Sequence, residues 1–86
     1  MNTNKKRISY HKLTKEEDFN KIVYPQVKQY LIDNDMELKE LAEKSNVTIS
    51  NLRNLLRGNI NHPRIQTLKK IMMATNLTIP QLLQRV

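Results

Sequence analysis

The side chains whose types and spacing could do chemistry lie between Thr48 and Asn61: Ile49, Ser50, Asn51, Arg53, Asn54 and Arg57, followed by Asn59 and Asn61. Hydroxyls, carboxamides and guanidiniums supply hydrogen-bond donors and acceptors at fixed geometry, so the chemistry on offer is non-covalent recognition. Covalent chemistry has no comparable support. The chain has no cysteine, its two histidines (His11 and His62) are far apart, and its one glycine rules out a glycine-rich phosphate loop. No catalytic residue, metal ligand, cofactor or small-molecule ligand is therefore assigned, and the chain reads as a non-enzyme.

Two short helices must position these side chains. Leu38, Leu41 and Ala42 fall at i, i+3, i+4, an apolar stripe on a first helix; Ser45-Asn46-Val47-Thr48 interrupts the period, and Leu52, Leu55 and Leu56 restart it on a second helix. Thr48 is the expected N-cap of the second helix, and Gly58 stands where a left-handed residue would end it. Ala42 is small where a second helix must cross closely, Asn46 tolerates a left-handed turn, and Val47 can tuck beneath it. This set predicts a helix-turn-helix over 38–58. It leaves Ile49, Ser50, Arg53, Asn54 and Arg57 off the core stripe, available to a DNA groove.

The segment LAEKSNVTISNLRNLLRG resembles the lambda-repressor/Cro-like, or XRE, family of helix-turn-helix proteins, matching its pattern L-A-x-x-x-G-v-s-x-s-x-[IL]-x-x-[IL]-x-x-G. The resemblance runs from about Val27 to Leu83. It implies a five-helix, all-α, lambda-repressor-like domain that binds double-stranded DNA, with helix 49–57 in the major groove. The implied base-reading residues are Ile49, Ser50, Arg53 and Asn54. Arg53 suits guanine O6 and N7, Asn54 suits adenine N6 and N7, and Ile49 suits a thymine methyl. Thr48, Asn51, Arg57, Asn59 and Asn61 are the expected phosphate contacts. Two departures from the family pattern stand out. Leu38 replaces a common phosphate-binding glutamine. Leu31 and Leu56 replace a common arginine–glutamate ion pair; exchanging both charges together leaves neither unpaired, and the two leucines are expected to touch.

Charge is distributed in thirds. Of a net +7 over 86 residues, residues 1–15 contribute Lys5, Lys6, Arg7, Lys12 and Lys15 with no acid. Residues 16–43 hold all eight acids against Lys21, Lys28 and Lys39, and residues 44–86 hold seven basic residues and no acid. A polyanion would be drawn to the second helix and the N-terminal segment. No run is apolar enough for a membrane span, and the polar start lacks a signal peptide's apolar core. The expected location is cytoplasmic, nucleoid-associated when bound to DNA.

Along the chain, residues 1–13 are read as a flexible basic arm whose Lys5, Lys6, Arg7 and Lys12 neutralise phosphates. Residues 14–86 are read as a single domain. Thr14-Lys15-Glu16-Glu17 predicts a capping box opening an extra short helix over 15–23, carrying Phe19, Ile22 and Val23 inward. Pro25 starts the next helix, with Val27, Tyr30 and Leu31 on one face; one kinked helix is the alternative. Asp35 or Glu37 must cap the first motif helix. After a loop at 59–62, Ile65, Leu68, Ile71 and Met72 mark a fourth helix ended by Asn76. Thr78-Ile79-Pro80-Gln81 caps a last helix over 79–86 carrying Leu82, Leu83 and Val86. Met36, Met72 and Met73 read as core or rim filler.

The expected function is that of a small transcriptional regulator, a repressor of phage, mobile-element or bacterial origin. A homodimer would use helix 79–86, unless its three apolar residues simply complete the core. The alternative function is a protein-interaction module, such as an antitoxin or anti-regulator, built on the same fold.

Overall fold

A computed structural model describes residues 19–85. Among them, after a helical pair at residues 19 and 20, lie five helices and no strand: α1 Pro25–Asp33, α2 Leu38–Ser45, α3 Ile49–Leu56, α4 Ile65–Thr75 and α5 Ile79–Leu82. No helix among the described residues is long and apolar enough to cross a membrane. The Thr14–Glu17 capping box and Lys5, Lys6, Arg7 and Lys12 lie outside the described residues, as does Val86.

The helix boundaries follow from local chemistry. Pro25 opens α1, and Tyr24 before it is extended (φ −107°, ψ 99°) because proline disfavours helical backbone in its predecessor. The helix expected over 15–23 does not reach Val23. Residues 19 and 20 are helical, Lys21 turns, and 22–24 are non-helical. Pro25 is one reason. The other is distant in sequence: the Val23 N–H donates to the Leu56 carbonyl at 2.9 Å, a partner unavailable to a helical Val23.

Four helices end on a left-handed residue: Asp35 (φ 48°), Asn46 (φ 59°), Gly58 (φ 80°) and Asn76 (φ 63°). The first three close paired hydrogen bonds back onto their helices. Met36 N–H reaches Leu31 O at 2.9 Å, Val47 reaches Ala42 at 3.0 Å, and Asn59 reaches Asn54 at 2.9 Å. The inner bonds run from Asp35 to Ile32, Asn46 to Glu43 and Gly58 to Leu55. This is the Schellman arrangement, which satisfies carbonyls that a helix end otherwise leaves open. α4 ends more simply, with Asn76 N–H on Met72 O at 2.7 Å. At the starts, Glu37 is the N-cap of α2, its N–H donating to Glu40 Oε1 at 2.8 Å. Thr78 and Gln81 exchange hydrogen bonds at 3.3 and 2.9 Å around the start of α5.

One buried cluster joins every helix: Val27 and Leu31 of α1, Leu38, Leu41 and Ala42 of α2, Leu52, Leu55 and Leu56 of α3, Leu68, Ile71 and Ala74 of α4, and Leu82 of α5. Ile22, Tyr24 and Val47 complete it. Leu31 and Leu56, where the family often carries an ion pair, are both in this apolar cluster. α2 packs on α3 and α4, and α5 packs on α4 and α1. The Tyr30 hydroxyl donates to Ala74 O at 3.1 Å and accepts from Lys44 Nζ at 2.7 Å, tying α1 to α4 and α2. Buried Ser45 and Thr75 turn their hydroxyls onto the carbonyls one turn earlier, at 2.7 and 2.8 Å.

Three expectations about packing are corrected. Ile65 is 54% exposed, because the buried side of α4 is Leu68, Ile71, Ala74 and Thr75 and Ile65 lies in the first turn at its margin. Met73 is 79% exposed, on the side of α4 opposite Ile71, and is not filler. The last helix stops at Leu82 rather than running through 79–86, and Leu83 is 40% exposed. Beyond it the chain turns so that Gln84 and Arg85 meet α1 and the end of α3.

Candidate nucleic-acid interface

α3 is eight residues long and its two sides are cleanly separated. Leu52, Leu55 and Leu56 are buried, whereas Ser50, Asn51 and Asn54 are exposed. Helical spacing places Ser50, Asn54 and Arg57 in one outward row at i, i+4, i+7, opposite the leucines. Ile49 and Arg53 form the adjoining row and are half-buried, as is Arg57. Asn51 stands on the other flank.

The start of α3 is set by Thr48, which is extended (φ −62°, ψ 149°) and whose Oγ1 accepts from the Asn51 N–H at 3.2 Å. A free-energy contribution of ~1 kcal/mol is usual for such a cap. The end is set by Gly58, Asn59 and the carbonyls they satisfy. Asn59 also donates from Nδ2 to Asn54 Oδ1 at 3.4 Å. An expected phosphate contact and an expected base reader are thus joined to one another. The carboxamide oxygen of Asn54 has a second lone pair, so it can still accept from an adenine amino group while its own amide donates.

Asn61 and His62 are exposed in the bend after Asn59. An open groove lies between Asn51 and the first turns of α4, lined by His62, Arg64, Gln66, Thr67 and Lys70. Sequence reading did not assign these residues to the site. The signal was present: Gln66 and Lys70 are at i, i+4 beside the N-cap Arg64, on a side of α4 that the apolar stripe leaves free. A second groove runs along α2 to the start of α3, past Lys39, Glu43, Asn46 and Ile49. Glu43 is therefore an acid placed beside the N-terminal end of α3. Leu38, which stands where the family often has a phosphate-binding glutamine, is buried in the first turn of α2 and offers a groove no side-chain donor.

Two helices, a left-handed asparagine between them and a sealed leucine stripe under the second define a helix-turn-helix protein. A family model of the Cro/C1-type helix-turn-helix DNA-binding domain matches residues 26–86, and the chain belongs to that family. No curated protein and no solved structure matches the chain. The family is one of DNA-binding regulators, and DNA is the partner that the fold serves.

Proposed function

We propose that this chain binds double-stranded DNA sequence-specifically as a small transcriptional repressor, with α3 in the major groove. The observation that carries this reading is the division of α3. Its leucines are all buried, Ser50 and Asn54 are exposed on the opposite side, and half-buried Ile49 and Arg53 form the row between. Arg53 and Asn54 offer the donor and acceptor pairs that guanine and adenine edges require. Thr48, Asn51, Arg57, Asn59 and Asn61 surround this reading surface and serve the phosphates. The groove at Arg64 and Lys70 extends the cationic track beyond Asn51. Arm residues Lys5, Lys6, Arg7 and Lys12 add phosphate contacts. Repression follows from occupancy, since a groove filled by α3 is closed to other proteins.

A domain of this size covers a short site, and a two-fold dimer doubles it. Leu82 belongs to the core, so a dimer through α5 would use exposed Leu83 and half-buried Ile79. The deciding experiment is selection of bound sequences from a random duplex pool at ~150 mM salt. An enriched palindrome with half-sites about one turn apart supports a dimeric operator-binding repressor. An enriched single half-site keeps sequence reading and removes the dimer. No enrichment overturns sequence-specific binding. A protein-interaction role is the second reading, favoured by exposed Ile32 and Met73; a protein complex insensitive to salt would carry it.

A further inference from the structure

We propose that Arg85 is a positioning residue for the reading helix, holding the C-terminal end of α3 in register through the Gly58 carbonyl; the inference rests on the DNA-reading role of α3. A helix end leaves its last carbonyls without intrahelical donors, and each must find one. At the end of α3 three of these donors can be named. Asn54 O receives the Asn59 N–H, Leu55 O the Gly58 N–H and Leu56 O the Val23 N–H. The Gly58 carbonyl, just past the helix, receives Arg85 Nη2 at 3.2 Å.

Arg85 is itself held. Its guanidinium carbon lies 5.6 Å from the centre of the Tyr24 ring, within range of a cation–π contact. Tyr24 is 3% exposed and is the N-cap of α1, so the ring is a fixed platform. Next to Arg85, the Gln84 carboxamide oxygen accepts from Gln26 Nε2 at 3.0 Å. Positive charge at the C-terminal end of a helix is also favourable to its dipole.

The consequence for recognition runs through Gly58. Its left-handed backbone turns the chain into Asn59, whose side chain touches Asn54. Fixing the Gly58 peptide therefore fixes Asn59, and Asn59 orients the Asn54 carboxamide on the outward row of α3. Arg85 lies 27 residues away in sequence and acts on the reading surface without joining it. Its Nη2 donor is directed to a protein carbonyl.

The test compares the full chain with R85Q and R85K. The first readout, made without DNA, is amide hydrogen exchange at Gly58 and Asn59. The second is affinity for the selected duplex and for an unrelated duplex over a salt series. In R85Q, exchange at Gly58 and Asn59 should accelerate about two- to tenfold, the range one hydrogen bond commands. Affinity for the selected duplex should fall within the same range, with the unrelated duplex and the salt slope unchanged and R85K recovering part of the loss. Unchanged exchange overturns the proposal. Equal weakening on both duplexes, with the slope reduced by about one, overturns it by making Arg85 a phosphate ligand. If the wild-type chain selects no sequence, the DNA-reading role fails, and the exchange measurement alone decides whether Arg85 holds the helix end.

Discussion

Asn59 and Asn54 are joined twice: the Asn59 backbone N–H meets the Asn54 carbonyl at 2.9 Å, and the Asn59 side-chain amide meets the Asn54 carboxamide oxygen at 3.4 Å. The first bond ends the helix and survives any side-chain exchange at 59. The second orients a proposed base reader. Asn59→Ala should therefore leave thermal stability nearly unchanged while weakening binding to the selected duplex. In a double-mutant cycle with Asn54→Ala, the two losses should be less than additive. Strict additivity would show that Asn59 acts independently, as a phosphate contact alone.

Arg53 stands in the row of α3 next to Ser50 and Asn54. Arg53→Ala should cost about 1–3 kcal/mol at the selected site and relax discrimination at one base pair. Competition binding with single-base variants of the site would show this. An equal loss on random duplex would assign Arg53 to the backbone.

Glu43 borders the groove that leads to Ile49. A carboxylate there opposes close approach of any phosphate, so Glu43→Gln should strengthen binding to unrelated duplex more than to the selected site. The expected result is higher affinity and poorer discrimination, measured as the ratio of the two dissociation constants. A fall in selected-site affinity alone would instead make Glu43 an acceptor from a cytosine amino group.

Gly58→Ala should destabilise the fold by more than about 1 kcal/mol. The backbone is left-handed (φ 80°), and a Cβ would meet Val23 Cγ2 at 3.2 Å and collide with the Arg85 guanidinium. Urea unfolding gives the measurement. Asn46 and Asn76 already bear side chains at left-handed φ, so stability unaltered by Gly58→Ala would mean that the turn tolerates one too.

Removal of residues 1–12 should reduce the slope of log affinity against log salt, because Lys5, Lys6, Arg7 and Lys12 leave together. The Val23–Leu56 bond remains in such a chain, so unfolding should be little affected. A slope equal to that of the full chain would show that the arm makes no phosphate contact.

Local chemistry made the helix-turn-helix readable before any coordinates. Asn46, Gly58 and Asn76 each announced a left-handed end, and Thr48 and Thr78 each announced a start, because these signals need only near neighbours. Asp35 adopts the same left-handed backbone, but in a run of polar residues its sequence gave no reason to single it out. The misjudged features depend on distant partners. Val23 leaves the helix for Leu56 as well as before Pro25, and where the last helix stops coincides with the contacts of Gln84 and Arg85 to Gln26 and Gly58. Ile65 and Met73 show that an apolar residue near a helical period says nothing about where the opposing helix ends. In the interface, α3 was legible from its own periodicity. The polar spacing of Arg64, Gln66 and Lys70 was legible too, but not their place beside Asn51, which exists only after α4 has folded back.

The separation of the two sides of α3 has a consequence for how such a protein could change its target. Leu52, Leu55 and Leu56 carry the helix's share of the core, while Ser50 and Asn54 are exposed on the other side. Exchanges at those outward positions are nearly free of folding cost. With α3 reading DNA as proposed, a duplicated copy of this chain would drift to a new target sequence through a few substitutions, passing only through folded intermediates, so that binding preference and stability evolve as separate traits.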